Sequence, residues 1–359
     1  MMKTNSSAQR NHARFSSKAK SSTAKQSGVA LIFVLLIVAV LAGLAATMTE
    51  RMSRQFYRAT NLIDHQQAYW YAIGVEALAK AGLEQTFEQD DETVNLNQAW
   101  AIRDRQYPLD RGVAKGSMLD AQACFNINAL ASVEAPDNPS DRPYLVEVLQ
   151  FMLEESGADS YEAEQGADSA WEFVDSNDRV DSQSGVESSS YEGMSPAYQA
   201  PNSIMVDKSE LRAVMGVSAP VMQRLMPAVC ALPTSELQIN VNTLMPEQAV
   251  VLQALYQPSL SLEDAQTLIE DRPYDGWGSV EEFTAEPQIS GISPEIQSKA
   301  ENYLSVTSQY FELDVAIMVE ASRVRLRSLM YTADKEEIQV IRRRLGGIRE
   351  RVSNRQTEQ

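Results

Sequence analysis

The sequence predicts an α+β protein with a long N-terminal helix, a mostly helical middle region and an antiparallel sheet near the C-terminus. Three observations indicate this class. No proline occurs between Val29 and Tyr107, where apolar residues recur every three or four positions, as on one face of a helix. Short helical patterns separated by turns fill the middle of the chain. From about Tyr303 the apolar period becomes two, as in strands.

A basic segment and an uncharged apolar run open the chain. Residues 1–28 hold six Lys or Arg side chains and no Asp or Glu, and residues 29–46 are apolar. A helix over 29–46 would be about 27 Å long, close to the hydrocarbon thickness of a bilayer. We therefore predict one membrane span, with the basic segment in the cytoplasm and the rest of the chain on the other side.

The junction at Gly28 allows two kinds of processing. A secretory signal peptide would be cut after the apolar run, near Ala45 or Ala46, and would release a plain exported structural protein. A leader cut after Gly28 would leave the apolar helix on the mature chain. The pattern favours the second, because it continues to about Phe87 and gives a helix of about 88 Å, far longer than a bilayer needs.

The outer half of this helix must pack against something outside the membrane. A stripe of mostly apolar side chains runs along it, with Gln66 at its one polar position. We call this stripe the helix seam. It consists of Met52, Phe56, Ala59, Ile63, Trp70, Ile73, Ala77 and Ala81.

Composition disfavours nucleic acid as a partner and gives no sign of an enzyme. The formal net charge is -18, and without the basic leader it is about -24. Such a surface repels phosphates. The two histidines, His12 and His65, lie in the leader and on the long helix, and no nucleophile motif, phosphate loop or zinc-spaced cysteine set occurs. We therefore predict a protein without catalytic residues.

Cys124 and Cys230 are the only cysteines. An even pair in an oxidising compartment can form a disulfide, but two buried free thiols are an equal alternative, because spacing alone does not place their Cα atoms within reach.

Two similar hexapeptides mark the helical middle region, Phe125–Leu130 and Ile239–Leu244, each followed by a helical pattern. Asn128 is predicted to cap the first of these helices. Together with Trp277–Phe283 the pattern is also typical of helix-hairpin-helix DNA-binding modules. A membrane-anchored DNA-binding protein is therefore the competing function, although the hairpins lack the Gly-rich and basic residues that grip phosphates.

Before and after this region the patterns predict strands. Residues 100–106 read as a strand or short helix that Pro108 ends, and 112–124 as a strand with a turn at Lys115-Gly-Ser. Residues 310–319 and 323–331 read as long strands joined at 320–322, and a third begins at Ile338.

An acidic, Ser/Gly-rich loop lies between Trp171 and Asn202, and its carboxylate and amide oxygens suit calcium, which takes six to eight oxygen ligands from flexible loops. An EF-hand is excluded, because counting from Asp175 the sixth position is Val180 instead of glycine. A solvated acidic loop without an ion is the alternative.

The order of these motifs resembles the type II secretion system minor pseudopilin K family. The likeness extends from Gln26-Ser-Gly-Val-Ala-Leu-Ile-Phe33, through both Asn-x-Asn hexapeptides, to the arginine-rich C-terminal end. Most pilins have glutamate at the fifth mature position, where this chain has Phe33, and within the pilins that absence is typical of the K subunit. In the family reading, a subunit at the filament tip does not need this carboxylate.

The resemblance implies a pilin-like fold, a long N-terminal helix on an antiparallel sheet, with a large inserted all-α domain. The implied parts are a cytoplasmic leader 1–28, a helix 29–87 spanning the membrane over 29–46, a first part of the head 88–124, an inserted helical domain 125–302 with its calcium loop 171–202, C-terminal strands 303–345 and a flexible tail 346–359. It also implies the calcium ligands Asp175, Asn177, Asp178, Glu187 and Asn202. Family carboxylates are replaced at Asn177 and Ser188, so a second ion is in doubt.

By the same resemblance, a prepilin peptidase cuts after Gly28 and methylates the new amine of Val29. The chain is then a single-pass inner-membrane protein with a periplasmic head. It is expected to initiate a short pseudopilus at its tip, together with minor pseudopilins I and J and other secretion-system components, for the export of folded proteins. The helix seam is the surface expected to pair with the partner helices, and its own sheet is the alternative contact.

Overall fold

The computed structural model describes residues 27–89, 92–136, 138 and 141–346. These residues fall into two units, one ending at Leu62 and the other beginning at Ile63. Helix α1, Ser27–Gln89, runs through both. The predictions for the leader before Ser27 and for the tail after Gly346 lie outside the described residues.

The remaining elements are short helices and strands. The helices are α2 Tyr144–Glu155, α3 Ser160–Val174, α4 Ser188–Tyr191, α5 Ala219–Leu225, α6 Ala249–Leu255, α7 Leu262–Glu270, α8 Val280–Thr284, α9 Pro287–Ser290 and α10 Pro294–Glu301, with 3₁₀ helices at Ile127–Ser132, Lys208–Ala213 and Pro246–Gln248. The strands are β1 Arg105–Leu109, β2 Gly112–Asp120, β3 Phe125–Asn126, β4 Val229–Cys230, β5 Ile239–Asn240, β6 Leu304–Ser305, β7 Tyr310–Val319, β8 Ser322–Tyr331 and β9 Gln339–Leu345.

Five strands form one antiparallel sheet in the order β1-β2-β7-β8-β9. The predicted pair of long strands is the hairpin β7–β8, which turns at Glu320 and Ala321, where Glu320 has a φ of +50°. The predicted third strand is β9. The α+β class, with a long N-terminal helix and an antiparallel sheet, is confirmed.

Two local predictions in the first hairpin are wrong. Strand β2 runs straight through Lys115-Gly-Ser, and the turn lies before it, at Asp110 and Arg111. Gly116 is needed for close approach instead of turning, because a Cβ there would lie 2.7 Å from the carbonyl oxygen of Asp314 on β7. Pro108 does not end a strand, since it lies inside β1 and pairs with Val113 of β2. An edge strand such as β1 tolerates proline.

The second unit places one face of α1 on the sheet. Its core includes Ala68, Ala72, Leu83, Phe87, Trp100, Phe311, Leu313, Ile317, Leu326 and Met330. Leu83 and Phe87 are buried in this core, and α1 ends at Gln89, two residues beyond the predicted Phe87. Two buried carboxylates on this face of α1 accept hydrogen bonds from the sheet and its turn. Asp64 accepts from the Arg111 guanidinium. Glu76 accepts from Ser328 Oγ and from Arg343 Nε.

The chain leaves the sheet after Asp120 and returns to it at Tyr310, the start of the neighbouring strand β7. The helices between them surround a second, larger core that includes Phe125, Trp171, Tyr191, Tyr256 and Phe283. In this region Cys124 and Cys230 form a disulfide with a Cα–Cα distance of 5.9 Å. It ties the exit from the sheet to β4, at a sequence separation of 106 residues.

A buried carboxylate joins the sheet to the helical core. Asp120, at the end of β2, is buried, and burial raises its pKa. It accepts hydrogen bonds from the backbone N–H of Gln122 and from the side chains of Asn240, Thr243 and Ser308. Four donors from three segments therefore converge where the chain crosses between the two cores.

Candidate functional sites

Within the described residues, one helix is long and apolar enough to cross a membrane. The stretch Val29–Gln89 contains an 18-residue window with a mean hydropathy of 3.1, and none of that window is buried. Packing inside the chain therefore does not account for its apolar side chains. Gly28, the predicted cleavage position, lies in the first turn of α1.

Within the second unit, the part of the helix seam from Ile63 to Ala81 lies on the side of α1 that faces away from the sheet. At 100° per residue, Trp70 and Ala77 point opposite to Ala68 and Ala72, which are buried against the sheet. Trp70 is 68% exposed, and the other seam residues are exposed too except Ile73, which is half-buried against the sheet core. Of the seam residues in the second unit, Ile73 alone packs against the sheet core, and the others leave an exposed apolar surface on α1.

The acidic loop brings three carboxylates together. Glu172 lies in the last turn of α3, Asp175 directly follows that helix, and Glu187 precedes α4. Each is at most 8% exposed, and each offers an oxygen within 4.8 Å of the others. Such a cluster needs hydrogen-bond donors or a cation.

Some of these oxygens have no donor. Glu172 Oε2, Glu187 Oε1 and Asn202 Oδ1 are buried without a hydrogen-bond partner. The other oxygen of Glu172 orders the loop, because it accepts from the backbone N–H groups of Asp181 and Ser182. Asn202, held at a φ of +45°, donates through Nδ2 to the backbone carbonyl of Asn177, and the side-chain Nδ2 of Asn177 donates to Asp175 Oδ2.

The electrostatics of the loop also favour a cation. Burial, followed by repulsion from neighbouring carboxylates, raises the pKa of Asp175 to about 6 and that of Glu187 to about 7. Burial raises the pKa of Glu172 as well. Hard oxygen donors with unpaired lone pairs are the ligand type that calcium takes, so these residues fit the predicted ion.

The structure places the five predicted ligands differently. Asp175 and Glu187 lie in the carboxylate cluster, and Asn202 joins it through Asn177. Asp178 is exposed and outside the cluster. The predicted ligands did not include Glu172, although it falls within the predicted loop 171–202; the structure places it in the last turn of α3, three residues before Asp175.

The asparagine side chains of the two Asn-x-Asn repeats make buried hydrogen bonds within the chain and do not form a phosphate-binding surface. Asn128 and Asn240 have no exposed surface. Asn128 bonds to both backbone groups of Met205, and Asn240 donates to Asp120 and to the carbonyl of Val94. The predicted N-cap is off by two residues, since Asn126 caps the 3₁₀ helix by accepting from the N–H of Asn128. These side chains tie loops together and are not available to DNA.

Comparison with known proteins agrees with this geometry. Two family models described as "Type II secretion system (T2SS), protein K" match residues 123–234 and 239–307. Proteins named type II secretion system protein K are 37% identical in Aeromonas hydrophila, over 90% of this chain and 98% of the relative, and 35% identical in Klebsiella pneumoniae, over 90% and 97%.

A solved structure is similar as well. It is the crystal structure of the GspK-GspI-GspJ complex from the type 2 secretion system of enterotoxigenic Escherichia coli. One chain of it matches with a TM-score of 0.73 and 36% identity, covering 81% of this chain and 99% of the matched chain. By sequence and by fold, this chain belongs to the type II secretion system protein K family.

Proposed function

We propose that this protein is a minor pseudopilin of a type II secretion system. The observation that carries the proposal is that α1 is continuous from the apolar run to the sheet core, so that one rod joins a membrane segment to a folded head. Strands β2 and β7 pair with each other in the antiparallel sheet, and the helical core occupies the chain between them, which supports a pilin-like fold with an inserted helical domain. Membership of the protein K family supports the same function.

In this proposal the chain is inserted with its basic leader in the cytoplasm and its head in the periplasm. A prepilin peptidase cuts between Gly28 and Val29 and methylates the new amine. The apolar helix then anchors the mature chain in the inner membrane until assembly, where Phe33 fits a subunit at the filament tip that initiates the pseudopilus.

N-terminal sequencing of the chain recovered from its membrane tests this processing. We expect Val29 as the first residue, and we expect Gly28→Val to leave the leader in place, because a side chain would stand at the bond to be cut. A start near Thr47 would instead indicate a soluble exported protein, and an intact leader on the unaltered chain would indicate a plain membrane anchor. Both results contradict the proposal.

The proposed partners are minor pseudopilins I and J, the subunits named in the solved complex. Packing of their N-terminal helices along the helix seam would cover its exposed apolar side chains, and burial of apolar surface is the main favourable term in association. We propose this surface because the seam residues other than Ile73 are exposed on α1.

A photo-cross-linking amino acid at Trp70 is expected to give products with a partner pseudopilin. The matched control is Leu78 on the same helix, which is 69% exposed against 68% for Trp70 but is turned about 80° around the axis. Cross-linking that is equal at both positions, or absent at Trp70 in cells that assemble pseudopili, would contradict pairing through the seam.

We further propose that the acidic loop binds calcium through Glu172, Asp175, Glu187 and Asn202. When bound, the ion supplies positive charge that offsets the mutual repulsion of the carboxylates. The chain's own part is to hold the oxygens in place: α3 orients Glu172 and Asp175, and Glu172 also fixes the loop through Asp181 and Ser182.

Calcium is expected to stabilise the chain at pH 7.5 by about 3 kcal/mol at 100 times its dissociation constant. Thermal unfolding in detergent, with calcium or with a chelator, measures this. Glu187→Gln should abolish most of the effect, whereas Glu192→Gln, an exposed carboxylate near the loop, should retain it. An equal effect of calcium on both variants would contradict the site.

The effect should also depend on pH. Because the folded-state pKa values of Asp175 and Glu187 are raised to about 6 and about 7, the ion-free chain should lose stability as the pH rises from about 4 to 7. Protons compete with calcium in the same range, so the calcium-dependent gain in melting temperature should disappear below about pH 5. A gain that is unchanged from pH 5 to 7.5 would contradict coordination by these two carboxylates.

A further inference from the structure

Strand β9 is an edge strand with one unpaired side. In the described part of the chain it pairs only with β8, and it is the last strand in the sheet order. An edge strand presents backbone N–H and C=O groups that a further strand can pair with. The opposite edge, β1, is shorter and contains Pro108, which has no N–H to donate.

Part of β9 on the side of the sheet that meets α1 is also uncovered. Alternation places Arg343 and Leu345 on one face, and Ile341 lies between Val340 and Arg342, where the register with β8 shifts. Arg343 and Leu345 pair with Ser328 and Leu326, which are fully buried beneath α1. Yet Ile341 is 42% and Leu345 58% exposed, and the Arg343 side chain is 52% exposed. Val340 still packs against the sheet core, but β9 also carries two exposed apolar side chains, Ile341 and Leu345.

Charge decides which kind of strand fits. Arg342, Arg343 and Arg344 are consecutive in β9, so β9 of a second copy would bring like charges together, which is unfavourable across strands. Arg342 and Arg344 are engaged on the outer face by the Val206 carbonyl and Asp207. Arg343 binds Glu76 from the inner face, but half of its side chain is exposed, so its guanidinium can meet a second carboxylate.

We propose that the β9 edge accepts a β-strand from a partner protein. The added strand pairs with the free backbone of Gln339–Leu345, places apolar side chains beside Ile341 and Leu345, and places a carboxylate beside Arg343. This surface is separate from the helix seam, so it goes beyond the proposed function and does not depend on the pairing of N-terminal helices.

A short labelled peptide tests the proposal on the full-length chain in detergent. The probe is a peptide in which threonine alternates with valine, except that one central valine is replaced by glutamate. Fluorescence anisotropy should show binding that weakens about tenfold or more when the glutamate is changed to lysine, or when a central residue is changed to proline, which blocks backbone pairing. Leu345→Lys and Ile341→Lys should weaken binding to a similar degree. Met318→Lys is the matched control, since Met318 is 54% exposed on β7, away from this edge.

Circular dichroism establishes that each variant is folded. Arg343→Gln removes the charge that the probe glutamate would meet, together with the ion pair to Glu76. The proposal is overturned if the probe does not bind at millimolar concentration, if the lysine peptide binds equally, or if Leu345→Lys and Met318→Lys behave alike. It is also overturned if deletion of residues 347–359 raises affinity about tenfold, which would make the chain's own tail the occupant. Concentration-dependent dimerisation that Leu345→Lys abolishes would make a second copy the occupant.

Discussion

Replacing both Cys124 and Cys230 by serine is expected to lower the free energy of unfolding of the helical core by about 5 kcal/mol. A disulfide stabilises mainly by limiting the unfolded chain, and the bridge closes a loop with a sequence separation of 106 residues, for which loop-closure entropy gives this value. Cys124 also lies at the chain's exit from the sheet, so the unbridged chain loses the covalent link between this exit and β4. Urea unfolding followed by circular dichroism measures the change.

The unaltered chain in a strong reductant is the matched control. It should unfold at the same urea concentration as the double serine variant, and the variant itself should not respond to the reductant. If the variant and the oxidised chain unfold at the same urea concentration, the bridge does not contribute to stability. Because serine differs little from cysteine in size, packing changes should be a small part of the effect.

Replacing Asp120 by alanine is expected to cost about 3–5 kcal/mol of stability, because it leaves buried donors without their shared acceptor. The backbone N–H of Gln122 and the side chains of Thr243 and Ser308 all lose a hydrogen bond. These groups lie on segments that enter and leave the helical core. We therefore expect hydrogen exchange to increase in residues 240–243 and around Ser308, in addition to lower stability in urea.

Two variants separate this network from a general effect of removing an acid. Asp120→Asn keeps the shape and one acceptor, and is expected to fall between the unaltered chain and Asp120→Ala. Glu295→Ala removes an 82% exposed carboxylate that pairs with Lys299 on a helix surface, and should change stability by less than about 0.5 kcal/mol. A loss for Asp120→Ala as small as that for Glu295→Ala would refute the role of the network.

The candidate calcium site illustrates how far the sequence leads. The acidic loop was recognisable from its composition, and Asp175 and Glu187 were among its predicted ligands. Glu172 was not, because a glutamate within a helix is usually solvated, and only the fold of residues 181–187 back onto α3 buries it. Asp178 is as acidic as its neighbours, but the loop turns it to solvent.

The strands follow the same logic. Period-two patterns located β7 and β8 nearly to the residue, since their apolar side chains alternate between a buried and an outer face. Lys115-Gly-Ser was misread as a turn because glycine often marks one. Glycine is needed at position 116 because the β7 backbone comes close to it, and this contact joins residues about 200 positions apart. Local sequence cannot reveal such a contact.

By itself, the sequence determined the apolar span, the long helix that follows it, the acidic charge and the strand-rich end, because each depends on composition or on a period within one segment. Tertiary structure decided the rest: which face of α1 meets the sheet, that Cys124 reaches Cys230, which carboxylates converge, and that β9 is left as an open edge. These features depend on side chains far apart in the chain being brought within a few ångströms of one another, and packing of the whole fold sets those distances.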